Sequence, residues 1–136
     1  AYASENSKFA TPGVNIGLFC STPMVALSRV VKNKHSMEML LTGDFIDADK
    51  AKNIGLINNY FSEDSLVSEI REMANKIANK SSQTVKIGKK AFYNQAQMKT
   101  DDAYKYASEV MIENMMNQDS DEGISAFLEK REPNWS

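Results

Sequence analysis

The sequence contains little cysteine, proline or glycine, and it has no long hydrophobic run. Its 136 residues include one Cys, three Pro and six Gly. One cysteine excludes an internal disulfide and a Cys-based zinc site, and it fits a reducing compartment. The longest apolar stretches, such as Met37 to Leu41, are far too short to span a bilayer. Residues 1–6 have neither the basic nor the apolar region of a signal peptide. We therefore predict an intracellular protein with no membrane association.

An excess of charge of one sign is also missing. The 16 basic and 18 acidic residues nearly cancel, leaving a formal net charge of −2 at pH 7. A nucleic-acid-binding protein usually carries an excess of positive charge, which this chain lacks, so no nucleic-acid partner is predicted. Hydrophobic residues make up 42% and charged residues 25%, which is typical of a soluble globular domain.

Two parts of the chain differ in pattern. Residues 1–61 mix short strands and short helices, with strands predicted at 8–11 and 56–60 and an extended or irregular segment at 14–19. Strands separated by helices imply a parallel sheet, and two or three strands are too few to form one alone. We therefore expect about half of a larger domain, an interpretation that the missing initiator Met also fits.

Residues 62–136 predict four consecutive amphipathic helices. The last of them is expected to end near Pro133. Capping residues give the predicted helix starts along the whole chain: Ser21 or Thr22 before Pro23, then Asp47, Ser62, Ser81 or Ser82, Thr100, and a capping box of Asp119 with Glu122.

No catalytic motif is defined by spacing alone. A solvated or capping role for His35 is favoured over a catalytic one. Cys20 precedes a helix N-terminus, where a thiolate is stabilised, but a small buried apolar residue is favoured there. Residues 88–90 lack the rest of a phosphate-binding loop. The aspartates at 44, 47 and 49 do not have calcium-loop spacing, so no metal site is predicted.

Four segments together resemble the crotonase (enoyl-CoA hydratase/isomerase) superfamily. They are FATPGVNIG at 9–17, MEMLLTGD at 37–44, DADKAKNIGLI at 47–57 and EGISAFLEKR at 122–131. Residues 12–14 and 18–23 are most similar to the divergent enoyl-CoA hydratase domain-containing members.

The resemblance implies an α/β fold, the C-terminal half of a crotonase-like (ClpP/crotonase) spiral of ββα units. Residues 1–61 would form the later part of the spiral core, and residues 62–136 a helical region for trimerisation and CoA contact. Homotrimers or hexamers are expected. The absent first half would hold the acyl-CoA thioester pocket and both backbone N–H donors of the oxyanion hole.

The same resemblance implies stabilisation of a thioester enolate, with coenzyme A as part of the substrate and no separate cofactor. In typical hydratases a catalytic Glu follows the proline that corresponds to Pro12, and this chain has Gly13 there. Glycine cannot transfer a proton, so no catalytic residue is assigned. The predicted substrate-binding residues are Pro12, Gly13, Leu18, Pro23 and Met24 along the acyl chain, Lys130 at the CoA phosphates and Met111 near adenine.

Three hypotheses about function follow. The first is a part of an acyl-CoA-processing protein that hydrates or isomerises enoyl-CoA, with this chain inactive alone, in the cytoplasm or an organelle matrix. The second is a non-catalytic acyl-CoA-binding or oligomeric assembly module, which Gly13 favours. The third, a free-standing helical interaction domain, predicts a stable monomer.

Overall fold

The computed structural model describes residues 1–136, which form two compact units, residues 1–73 and 74–136. The first unit contains strands β1 (Tyr2–Ser4), β2 (Lys8–Phe9), β3 (Ile46–Asp47) and β4 (Asn59–Phe61), helices α1 (Ser21–Val30), α2 (Asn33–Thr42) and α3 (Ala48–Asn53), and a 3-10 turn (Pro12–Ile16). Helix α4 (Glu63–Ala78) begins in the first unit and ends in the second, which also holds α5 (Ser82–Gln95), α6 (Thr100–Met115) and α7 (Gln118–Glu129). The division into a spiral core and a helical region at residue 61 stays a prediction.

The strands form two separate pairs. Strands β1 and β4 are parallel, with Ala3 opposite Tyr60, as expected for strands separated by helices. Strands β2 and β3 are antiparallel, and the two-residue β3 is not predicted by the sequence. The predicted strand at 56–60 begins later, at Asn59, because the Leu56 and Ile57 amides both donate to the Ala51 carbonyl at the end of α3.

The core of the first unit consists of two apolar clusters. One joins α1 and α2 through Leu27, Val31, Met39 and Leu40, together with Ile54. The other packs β1 against α3, where Ala48 and Ala51 have almost no exposed surface. Side chains this small let α3 lie close to β1, and the two elements are held together by this packing.

Three predicted helix caps are confirmed and two are wrong. The Ser62 hydroxyl before α4 accepts the Ser65 amide hydrogen at 3.3 Å. The Asp47 carboxylate accepts the Lys50 amide hydrogen at 2.8 Å, and the Ser81 hydroxyl accepts that of Thr84 at 3.0 Å. Helix α1 instead begins after Cys20, and α6 begins after Lys99, with no side-chain cap at either position.

The predicted capping box at the start of α7 is also wrong. Helix α7 begins after Asn117, and the Asp119 and Glu122 carboxylates bind groups distant in the sequence. The helix ends at Glu129 and not near Pro133, because Lys130 adopts a left-handed conformation with φ 56°.

Large apolar side chains on α4 to α7 remain exposed. They include Val67, Phe92, Ile112, Phe127 and Leu128. The amphipathic faces are thus present as predicted, but few of their residues are buried within the chain. None of the helices is long and apolar enough to cross a lipid bilayer.

Candidate functional site

The 3-10 turn, which carries two of the predicted acyl-pocket residues, is fixed against helix α2. The buried Thr11 hydroxyl donates to the Met39 carbonyl at 2.8 Å. At the end of α2, Gly43 is left-handed with φ 66°, and a Cβ atom there would lie 2.9 Å from Asn15 Nδ2. Both contacts need residues about 28 positions apart, so tertiary packing sets the position of the turn. This is why the sequence predicts only an irregular segment here.

Three hydrogen bonds among residues 13–20 close residues 12–20 into a loop. The Leu18 amide donates to the Gly13 carbonyl at 2.9 Å, and the Gly17 amide donates to the Val14 carbonyl at 3.2 Å. The Gly13 amide donates to Cys20 Sγ at 3.3 Å. Gly17 has φ 78°, a conformation that favours glycine, and it allows the chain to reverse at this point.

The space beside the Gly13 Cα atom is occupied. A Cβ atom built there would lie 2.5 Å from the Leu18 carbonyl oxygen and 2.7 Å from Cys20 Sγ. Both distances are shorter than any ordinary carbon contact, so a larger residue at position 13 requires the loop to move. A glutamate, the residue that the resemblance implies at this position, would meet the same two obstructing groups.

The predicted acyl-pocket residues lie on one continuous segment but in different surroundings. Pro12, Gly13 and Leu18 belong to the loop, and the Leu18 side chain is 64% exposed. Pro23 and Met24 lie in the first turns of α1. Met24 is partly buried against the Leu27–Leu40 cluster and lines a groove of about 310 Å³ with Val25, Met37 and Leu40. The structure thus leaves an exposed apolar edge at Leu18 and places Met24 farther inside.

The two residues predicted to contact CoA lie in the second unit. Met111 is 59% exposed on α6. Lys130 follows the last residue of α7, is exposed, and makes no ion pair. Its left-handed backbone directs the chain away from the helix axis, which leaves a free ammonium group at this corner.

The residue after Lys130, Arg131, is the centre of an ion-pair network that local sequence patterns do not predict. The Arg131 guanidinium donates to both Glu122 oxygens at 2.6 and 2.9 Å and to Glu129 at 2.6 Å. These hydrogen bonds, with one from the Asn134 amide, lower the pKa of Glu122 to about 2 and raise that of Arg131. Both carboxylates are paired with Arg131, and neither forms an ion pair with Lys130.

A second polar cluster joins the first turn of α7 to the start of α5 and to the last residue of the chain. The Asp119 carboxylate accepts from the Ser81 hydroxyl at 2.5 Å and from the Ser136 amide and hydroxyl at 3.0 and 2.8 Å. These bonds lower the pKa of Asp119, the Ser81 hydroxyl having the largest effect. The sequence pattern predicts that Asp119 and Glu122 bind backbone amides at the start of α7. In the structure Asp119 binds Ser81 and Ser136, and Glu122 binds Arg131.

The remaining titratable candidates lie near polar side chains. His35 lies 3.8 Å from Glu38 on the same helix face. Asp49 accepts from Asn53 and from the Tyr60 hydroxyl at 3.3 Å, and its charge raises the pKa of Tyr60. No three His, Cys, Asp or Glu side chains are grouped so that they could hold a metal ion.

A largely apolar groove of about 620 Å³ lies within the second unit. Helices α5, α6 and α7 form it, and its lining includes Val85, Met115, Ile124, Leu128 and Trp135. The Trp135 indole donates to the Asn79 carbonyl at 2.9 Å, which holds the C-terminal segment against this unit. Met111 and Lys130 do not line this groove.

Comparison with known proteins gives a consistent result. The family model described as enoyl-CoA hydratase/isomerase matches residues 1–136. The mitochondrial enoyl-CoA hydratase domain-containing protein 3 of Xenopus laevis is 48% identical over 136 residues, which are 100% of this chain and 46% of that protein.

Two crystal structures are also similar. An enoyl-CoA hydratase of Mycobacterium smegmatis matches with a TM-score of 0.96 and 47% identity, over 99% of this chain and 52% of that chain. Human enoyl-CoA hydratase domain-containing protein 3 matches with a TM-score of 0.95 and 47% identity, over 99% and 53%. These matches confirm the α/β crotonase fold and the resemblance. The chain spans about half the length of these relatives, and its assignment to their C-terminal half stays a prediction.

Proposed function

The chain belongs to the enoyl-CoA hydratase/isomerase family, and on this basis we propose that it is part of a protein that binds and processes acyl-CoA thioesters. In this proposal the loop at 12–18 and the start of α1 contact the acyl chain, and Lys130 contacts the CoA phosphates. Residues 1–136 alone do not hydrate enoyl-CoA. We also propose an organelle-matrix location, because the Xenopus laevis relative is named as mitochondrial.

The observation that carries this proposal is the environment of Gly13. In the family pattern this position provides the glutamate that moves a proton or activates water, a contribution on the order of 10²- to 10⁴-fold in rate. Here the position holds glycine, and the Leu18 carbonyl and Cys20 Sγ occupy the side-chain space. The environment of Gly13 therefore argues against hydration by a side chain at this position, and the proposed thioester binding is supported by the family match.

The exposed Leu18 in the first unit and the Lys130 ammonium in the second unit each suit one chemical part of an acyl-CoA. Leu18 offers a hydrocarbon surface, and a flexible ammonium suits a phosphate. Met111 is assigned a weaker thioether contact with the adenine ring.

An NMR titration of residues 1–136 tests this assignment. Butyryl-CoA at millimolar concentration should shift the amide signals of Gly13 and Leu18 and those next to Lys130. Free coenzyme A, as the matched control ligand, should shift only the signals next to Lys130. Absence of shifts at both regions with butyryl-CoA would refute the proposed binding site.

The second candidate function is a non-catalytic assembly module. It is favoured by the exposed apolar side chains on α4 to α7, such as Val67, Phe92 and Phe127, which a partner copy would cover. Sedimentation equilibrium should then show a homotrimer or hexamer, whereas a stable monomer would refute the assembly hypothesis.

A further inference from the structure

We propose that Cys20 is a positioning residue of the acyl-pocket loop and that, with the Leu18 carbonyl, it closes position 13 to every side chain. The consequence is that no acid or base acts on a bound thioester from this position. The inference rests on the proposed function, because it describes how the proposed acyl-binding loop is built.

The requirement for glycine at position 13 is one of space. Gly13 is not among the residues with positive φ, so its backbone conformation alone would accept any residue. The obstruction is the 2.5 Å and 2.7 Å separation of a Cβ atom from the Leu18 oxygen and Cys20 Sγ. Gly88, in the interior of α5, has no atom within 4 Å of the same position and provides a matched contrast.

Neither obstructing group can move without breaking other contacts. The Leu18 carbonyl belongs to a residue whose amide is bonded to the Gly13 carbonyl at 2.9 Å. Cys20 packs against the Leu27–Leu40 cluster, and its carbonyl accepts the Met24 amide hydrogen at 3.0 Å. Its thiol also accepts the Gly13 amide hydrogen at 3.3 Å. The thiol thus holds the Gly13 amide and fills the adjacent space.

A glutamate at position 13 would therefore open the loop and would not project a carboxylate from it. A thioester bound beside the loop meets the apolar Leu18 side chain and main-chain groups on this side. No side chain at position 13 can then activate water, so the loop would bind the thioester without hydrating it from this position.

Thermal unfolding of Gly13→Ala tests the closure. Overpacking of this kind costs about 1–3 kcal/mol, which corresponds to a loss of at least about 3 °C in Tm for a domain of this size. The control Gly88→Ala adds the same methyl group in open space within a helix and should leave Tm unchanged or raise it. Equal Tm values for the two variants would overturn the proposal.

Amide hydrogen exchange in Cys20→Ala tests the positioning role and does not depend on Gly13→Ala folding. Loss of the thiol acceptor should speed exchange of the Gly13 amide by about 2- to 10-fold. The Gly17 amide, which donates to the Val14 carbonyl, is the internal control and should change little. Unchanged exchange at Gly13 would overturn the role of Cys20.

Neither measurement uses a ligand, so its outcome is independent of the butyryl-CoA titration. If the titration fails while both loop measurements succeed, the proposed function is wrong and the closed loop stands. If the loop measurements fail while butyryl-CoA binds, only the closure is wrong.

Discussion

The hydrogen bond from Thr11 to the Met39 carbonyl fixes the candidate acyl-binding loop to the core, and Thr11→Val removes it with little change of shape. The hydroxyl is buried, and its bond is 2.8 Å long. The Met39 carbonyl also accepts the Gly43 amide hydrogen at 3.0 Å, so it keeps a partner in the variant. We therefore expect a loss of about 0.5–1.5 kcal/mol in the free energy of unfolding, the range for one neutral hydrogen bond.

Urea unfolding followed by circular dichroism measures this loss, and Thr42→Val provides the control. The Thr42 hydroxyl donates to the Glu38 carbonyl at 2.9 Å and accepts the Asp44 amide hydrogen at 3.2 Å. Both hydrogen bonds are exposed, so water can replace them, and their removal should change the free energy of unfolding by less than about 0.5 kcal/mol. If Thr11→Val costs no more than Thr42→Val, the bond to Met39 does not fix the loop.

Two further predictions concern the core and the ion-pair network. Leu40→Ala, at a side chain 2% exposed, should cost about 2–5 kcal/mol in urea unfolding. Leu41→Ala, at a neighbour 58% exposed, should cost far less, and equal costs would contradict the described packing. Arg131 lowers the pKa of Glu122 from 4.5 to about 2, so the stability contributed by Glu122 is full above pH 4.5 and is lost as the pH falls towards 2. Glu122→Gln should reduce the fall in Tm between pH 4.5 and 2, whereas Glu109→Gln, at an exposed residue, should leave this fall unchanged. An equal fall in both variants would contradict the contribution assigned to Glu122.

Local signals were sufficient where a structural contact spans few residues. The caps at Asp47 and Ser81 depend on a side-chain oxygen and an amide three positions later, a pattern visible in the sequence. The same reasoning was wrong for Asp119 and Glu122, because Ser81, Ser136 and Arg131 provide hydrogen-bond donors that the local pattern does not contain.

The resemblance implies the candidate site residues Pro12 and Gly13, and this assignment stays a prediction. The family match confirms the family from which it was taken. The closed space at Gly13 depends on how the chain returns at Leu18 and Cys20, and the loop's position depends on Met39. Such contacts arise only from the folded chain, so composition and periodicity could not predict them.

The central claim, a thioester-binding loop with position 13 closed to a carboxylate, is tested most directly by crotonyl-CoA hydration. The loss of ultraviolet absorbance of the enoyl thioester would be followed with residues 1–136 and with their Gly13→Glu variant. We predict no turnover above the uncatalysed rate for either protein. Hydration by the natural sequence at a rate near that of ordinary hydratases, or its appearance in Gly13→Glu, would contradict the account.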